Sequence, residues 1–231
     1  MGKESRDWYN SIAQRNGGYK SDAQFTREGL SGEVEFEKRL MERLPSYDHV
    51  LDIGCGHGEF TLKMAHYTKR ITGGDNAEEM IKIARNLLDK STLSHVDFLP
   101  LWTHQDFPFP DETFDFIYNR RGPTSILRQA RILKRGGRIF AIHPEGVNFE
   151  RIRTMMEDFG FDDLTIEEFN DCYIYFENLE EMGKFLAASH CNPDYTLPEH
   201  RKDLEQMGEK NLRGGRLALQ EKRYIWSVRR K

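Results

Sequence analysis

The chain has 231 residues, 38% hydrophobic and 31% charged, with a formal net charge of −4. That length suits one domain with an extension, able to bury roughly 70% of its unfolded surface, so no crosslink is needed for stability. No apolar run approaches the ~20 residues of a membrane span, and the opening MGKESRDWYN has no signal-type apolar segment; a cytoplasmic chain without a membrane partner is expected, and the acidic balance gives no global attraction to nucleic acid.

Residues 1–32 are polar and dotted with Trp8, Tyr9 and Tyr19, and a helix is expected from Glu33 to Leu44, closed by Pro45. This stretch, 1–45, reads as a cap and lead-in helix. From His49 short apolar runs alternate with helical patterns. The runs are VLDI (Val50 to Ile53), RITG (Arg70 to Gly73), VDFL (Val96 to Leu99), FDFIY (Phe114 to Tyr118) and RIFAIH (Arg138 to His143), with helices expected over 59–67, 77–90, 124–134 and 147–158. Right-handed crossovers between such strands leave a doubly wound α/β sheet as the economical fold over 46–177. After Gly160, DLTIEEF and CYIYF read as strands, and RLALQEKRYIWSV, within 215–231, as a strand or hairpin. The intervening 178–214 holds two helical patterns and is too long for a plain connection, so a helical insertion or lid is expected.

Eight acidic residues and no Lys or Arg lie between Asp162 and Glu181, whereas 200–231 carries ten Lys or Arg against four Asp or Glu. Both runs read as solvated surface. The three cysteines, Cys55, Cys172 and Cys191, lack paired spacing and read as reduced thiols; no metal site is expected.

The strongest signal is HVLDIGCGHGEFTLKMA, His49 to Ala65, in which an apolar strand enters Asp52 and Gly54-Cys55-Gly56-His57-Gly58 before a helix. Glycines at alternate positions let the backbone turn and approach a ligand, and amides at a helix start favour an anionic group. Asp75 follows Gly54 by 21 residues at the end of the second strand, where an acid accepts hydrogen bonds from ribose hydroxyls.

The third glycine comes one residue early for a dinucleotide fingerprint. DIGCGHGEF instead resembles motif I of the class I S-adenosylmethionine-dependent methyltransferases, GGDNAEEM their second motif, FPFPDETFDFIY their central segment and ILKRGGRIFAI their L-K-P-G-G turn and strand. The resemblance implies a Rossmann-like, mostly parallel seven-stranded sheet with an N-terminal cap and an insertion before the last strand. It implies S-adenosylmethionine as cofactor, with Gly54, Cys55, Gly56 and Gly58 at its methionine part, Asp52 near its amino group, Asp75 on the ribose, and Asn76 and Met80 beside the adenine. Met80 is equally readable as a core residue. Thr103 or His104 stands where many relatives carry an Asp toward the adenine.

Methyl transfer from a sulfonium needs alignment first and a general base only for a protonated acceptor. Candidate bases are His143, Glu145 and His104, although a lone histidine is more often structural. Relatives that methylate exocyclic amines carry N-P-P-Y or D-P-P-Y after the fourth strand; here Asn119 is followed by Arg120-Arg121-Gly122-Pro123. Asn119, Arg120, Arg121 and Tyr19 are the expected substrate contacts, and Asn119 is also an expected cofactor contact. The arginines suit a carboxylate or phosphate; alternatively one pairs with a neighbour such as Glu145 or Asp111 and the other meets solvent. The expected function is methyl transfer to a small anionic or aromatic molecule, with an RNA methyltransferase and a non-catalytic cofactor-binding domain as alternatives.

Overall fold

The computed structural model describes residues 3–18, 21–189 and 192–231, so Tyr19 and Cys191 lie outside the described residues. The polar lead-in forms α1 (Lys3–Asn16), an edge strand β1 (Thr26–Glu28) and α2 (Gly32–Arg43). Ser31 caps α2 by accepting from the Val34 amide, with Glu33 and Glu35 in the first turn and Arg43 in the last, as the helix dipole favours. Pro45 then turns the chain into a 3-10 segment, Leu44–Ser46.

The alternating core follows as β2 (Val50–Ile53), α3 (Glu59–Ala65), β3 (Ile71–Asp75), α4 (Glu78–Asp89), β4 (Val96–Pro100) and β5 (Phe114–Arg120). All four residues of β2 are buried, as a central parallel strand covered on both faces requires. The helix expected over 124–134 is instead a 3-10 segment, Thr124–Ile132, whose backbone leaves helical angles at Gln129. Next come β6 (Leu133–Pro144), α5 (Phe149–Phe159), β7 (Phe161–Phe176), α6 (Leu179–Ala187), α7 (Arg201–Lys210), β8 (Leu212–Arg213) and β9 (Arg216–Arg230). The two runs read as separate strands after Gly160 are one strand, β7, with register shifts against β9 at Asp162/Thr165 and Phe169/Cys172.

The sheet order is β1-β7-β9-β6-β5-β2-β3-β4, with β8 on β9. The pairs β2–β3, β3–β4, β2–β5 and β5–β6 are parallel, and β9 runs antiparallel between β6 and β7. Seven strands thus form the expected sheet, and the short β1 and β8 are additions at its margin. One face buries Phe36 and Leu40 of α2, Met64 of α3 and Ile81 of α4 against Val50, Phe116 and Phe140. The other buries Ile126 and Leu127 of the 3-10 segment and Ile152 of α5 against Ile53, Ile117 and Trp226.

From β2 the chain winds one way through β3 and β4, then returns to β5 on the other side of β2 and winds away through β6. A crevice is therefore left open at the carboxyl ends of β2 and β5. The segment 178–214, expected as a lid, packs Met182 and Leu204 onto Ile174 and Phe176 of β7. It also anchors the lead-in, where the Gln24 amide donates to Glu181 and Ser21 donates to the Lys184 carbonyl. No helix is long and apolar enough to cross a membrane among the described residues.

Candidate functional site

A cavity of about 460 Å³ fills this crevice, a size typical of small-molecule sites. Its floor is the glycine loop leaving β2. Gly54 and Gly58 have φ of 82° and 84°, a region closed to most side chains, and a Cβ on Gly54 would come within 2.8 Å of the Gly122 Cα. Gly58 caps α3 and does not line the cavity. A Cβ on Gly56 would meet nothing within 4 Å, so the backbone faces open space there. Cys55 lines the wall, with burial pushing its thiol well up.

Asp75 closes this loop, its Oδ2 accepting from the Gly56 amide at 2.9 Å and its Oδ1 from the Ala77 amide at 2.9 Å. Burial raises its carboxyl above the ordinary range, partly offset by these amides. Asp52 lies deeper, and its Oδ2 accepts from the Thr61 hydroxyl at 2.6 Å and the Tyr118 hydroxyl at 2.8 Å. Burial pushes Asp52 up to about 6, the two hydroxyls pulling the other way.

Asn76, Met80, Leu101, Trp102, Thr103 and His104 also line the cavity. Met80 lines the cavity and also packs on Ile12 and Ala13 of α1, as a core residue does. The Thr103 and Ser125 hydroxyls share a 2.6 Å hydrogen bond. Gln129, buried beneath, donates to the Thr103 and Gln105 carbonyls and accepts from the Phe107 amide. The kink in the 3-10 segment is where this one amide holds the 103–107 loop. His104 sits at the exposed rim, its imidazole kept low by desolvation.

The remaining wall carries Arg120 and Arg121. Neither expected partner holds them, because Asp111 pairs with Arg131 and Glu145 with Lys222. Both instead meet Glu33 of α2, which lies 3.1 Å from Arg120, 3.6 Å from Arg121 and 2.7 Å from Arg223 of β9. Burial alone would raise Glu33; the three guanidiniums reverse this and hold it at about 2. Arg120 also lies over the Phe60 ring at 4.4 Å, and Glu37 pairs with Lys63 at 2.5 Å beside it.

Three expected contacts stand outside the cavity. Asn119 is fully buried, its Oδ1 accepting from the Gly122 amide and its Nδ2 donating to the Pro123 carbonyl, so both ends of its amide serve the loop. His143 is buried with each ring nitrogen engaged, Nε2 at 2.9 Å from the Gly122 carbonyl and Nδ1 at 3.0 Å from the Trp226 indole nitrogen, which leaves no lone pair for a substrate proton. Glu145 is exposed and pairs with Lys222. Among the described residues, none from 178–214 lines the cavity; Tyr9 of α1 and Glu37 of α2 do. Tyr9, Glu33, Glu37, Phe60, Gln129 and Trp226 carry no local motif that singles them out, except that Phe60 closes the DIGCGHGEF stretch.

A family model described as "Methyltransferase domain" matches residues 50–139. A ubiquinone/menaquinone biosynthesis C-methyltransferase of Pseudoalteromonas translucida is 30% identical over 187 residues, covering 74% of this chain and 72% of that protein. A demethylmenaquinone methyltransferase of Symbiobacterium thermophilum is 34% identical over 105 residues, and the chain spans only 42% of its length. A solved structure of a functionally unknown protein from Deinococcus radiodurans shares the fold with a TM-score of 0.70 at 20% identity, over 97% of this chain and all of that one.

Proposed function

This chain belongs to the class I S-adenosylmethionine-dependent methyltransferases, and on that premise we propose that it transfers a methyl group to a small molecule bearing a negative charge. The cavity residues fit the cofactor. The open face at Gly56 leaves room for close backbone approach, and Asp75 keeps lone pairs beyond those used by its two amides for ribose hydroxyls. Asp52, raised by burial, suits a neighbouring ammonium, which would restore its charge. Thr103 and Ser125 supply hydroxyls to the same cavity. When bound, the cofactor supplies an activated sulfonium methyl group.

What the protein's own residues do is position and exclude water. The single observation that carries the acceptor reading is the arginine wall: Arg120 and Arg121 both line the cavity, and the one carboxylate they share, Glu33, is also held by Arg223. An acceptor carboxylate, phosphate or ionised phenol is the complementary chemistry. The relatives named for ubiquinone and menaquinone biosynthesis support a small-molecule acceptor and do not bear on its charge.

Calorimetry with S-adenosylhomocysteine tests the cofactor reading. Asp75→Ala removes hydrogen bonds to a charged group, each about 1.5–3 kcal/mol, and should weaken binding by about tenfold to a hundredfold. Unchanged affinity in this variant contradicts the assignment. For the acceptor, transfer of labelled methyl should go to anionic metabolites and be lost preferentially in Arg121→Gln; transfer only to neutral or cationic ones overturns the charge reading.

A further inference from the structure

We infer that His143 is a positioning residue: a neutral imidazole, locked in one tautomer by Trp226, that holds the loop carrying Arg120 and Arg121 against the glycine floor. An indole N–H can only donate. Because Trp226 Nε1 lies 3.0 Å from His143 Nδ1, that nitrogen must accept, and the ring proton must sit on Nε2. Nε2 in turn is 2.9 Å from the Gly122 carbonyl and donates to it. The two rings are near-parallel, with centroids 5.8 Å apart and an interplanar angle of 22°, the side-by-side placement that an in-plane N–H···N bond requires.

What this bond holds is a tightly constrained turn. A Cβ on Gly122 would fall 2.5 Å from the Ile53 carbonyl oxygen and 2.8 Å from Asn119 Oδ1. The Gly122 amide and the Pro123 carbonyl go to Asn119, and the Arg121 amide donates to the Ile142 carbonyl. His143 takes the Gly122 carbonyl. Arg121 itself has φ of 63°, an uncommon region for a residue with a side chain, and such a conformation persists only where surroundings over-determine it. The relay Trp226–His143–Gly122 thus supports a strained residue of the cavity wall from behind.

A charged imidazolium has two N–H groups and no acceptor, so protonation would set its Nδ1–H against the indole N–H and break the relay. Burial, the dominant influence, keeps the ring neutral; the Gly122 carbonyl and the Glu33 carboxylate on α2 favour the charged form and are outweighed. From β9 the ring meets the uncharged indole. The wall should therefore loosen on the acid side.

Nitrogen-15 spectra of histidine-labelled protein decide the tautomer. The expected result is a neutral, Nε2-protonated His143 at pH 7, with Trp226→Phe raising its titration point; an Nδ1-protonated or charged ring at pH 7 overturns the proposal. Binding of S-adenosylhomocysteine supplies the second readout. His143→Phe should weaken it about fivefold or more, while His143→Gln, which can both accept and donate, should stay within about threefold of wild type; equal affinity of a folded His143→Phe overturns the role. The wild-type affinity should also fall more steeply than that of His143→Gln on the acid side of the ordinary histidine range, and parallel profiles count against the relay. If wild-type protein fails to bind this ligand, the cofactor reading fails, and the spectra still decide the tautomer.

Discussion

Asp52 is destabilising until something positive reaches it. Its carboxyl stands at about 6 in the folded protein against 3.8 ordinarily, so between those values the folded chain holds a proton that the unfolded chain has released. Stability therefore falls as pH rises through that window, by up to about 3 kcal/mol. Asp52→Asn should flatten the slope in urea denaturation of ligand-free protein between pH 4 and 6.5, and a slope equal to wild type would refute this account. Glu33 runs in the opposite direction. Its folded value of about 2 lies below 4.5, so its contribution is present above pH 4.5 and is lost as pH falls toward 2. Glu33→Gln should lower stability at pH 7 by about 2–3 kcal/mol, read from the denaturant midpoint, because three guanidiniums lose their shared carboxylate. Asp52 and Asp75 were legible in the sequence because they flank strand ends beside a glycine loop. Glu33 was not, since its partners lie 87 and 190 residues away and nothing local distinguishes it from any acid in a helix's first turn.

At the scale of elements, the two charge runs explain each other. Five of the eight acidic residues lie on β7 and five of the ten basic ones on β9, and these strands are antiparallel neighbours. Asp162 pairs with Arg229 directly across the ladder, while Asp163 and Glu167 meet Arg138 and Arg39. On the basic side, Arg216 pairs with Glu28, Lys222 with Glu145 and Arg223 with Glu33. Composition alone made both runs look like separate solvated surfaces, because strand pairing is not visible in a charge count. Much of the basic stretch is thus neutralised within the fold and offers little free footprint for RNA. A single-stranded RNA should show no salt-dependent retention at low ionic strength, and a steep fall in affinity with salt would restore the nucleic-acid reading. The exposed Asp162–Arg229 pair should contribute below about 1 kcal/mol in a double-mutant cycle.

For the molecule as a whole, the alternation of apolar runs and helices from Val50 to His143 was enough to place the crevice, because a parallel sheet that winds both ways from β2 must open there. Less legible was the cap, where Tyr9 of α1 and Glu37 of α2 complete the wall, since contacts between a lead-in helix and a distant loop leave no periodic trace. Ligand binding to such a joint surface should stabilise the entire domain: at a hundred times its dissociation constant S-adenosylhomocysteine adds about 2.7 kcal/mol, a rise of roughly 5–10 °C in melting temperature. An unchanged melting curve at that saturation would argue against a shared cavity. The position of Trp226 and Arg223 on β9 has a consequence for synthesis. Translation proceeds from the amino end, and domains tend to fold as they emerge. The cofactor loop, made by residues 54–58, leaves the ribosome early, yet the wall that faces it has no support until residues 216–230 follow. A nascent chain is therefore expected to present a glycine loop without its opposite side, and ligand capture becomes a test that β9 has been inserted between β6 and β7.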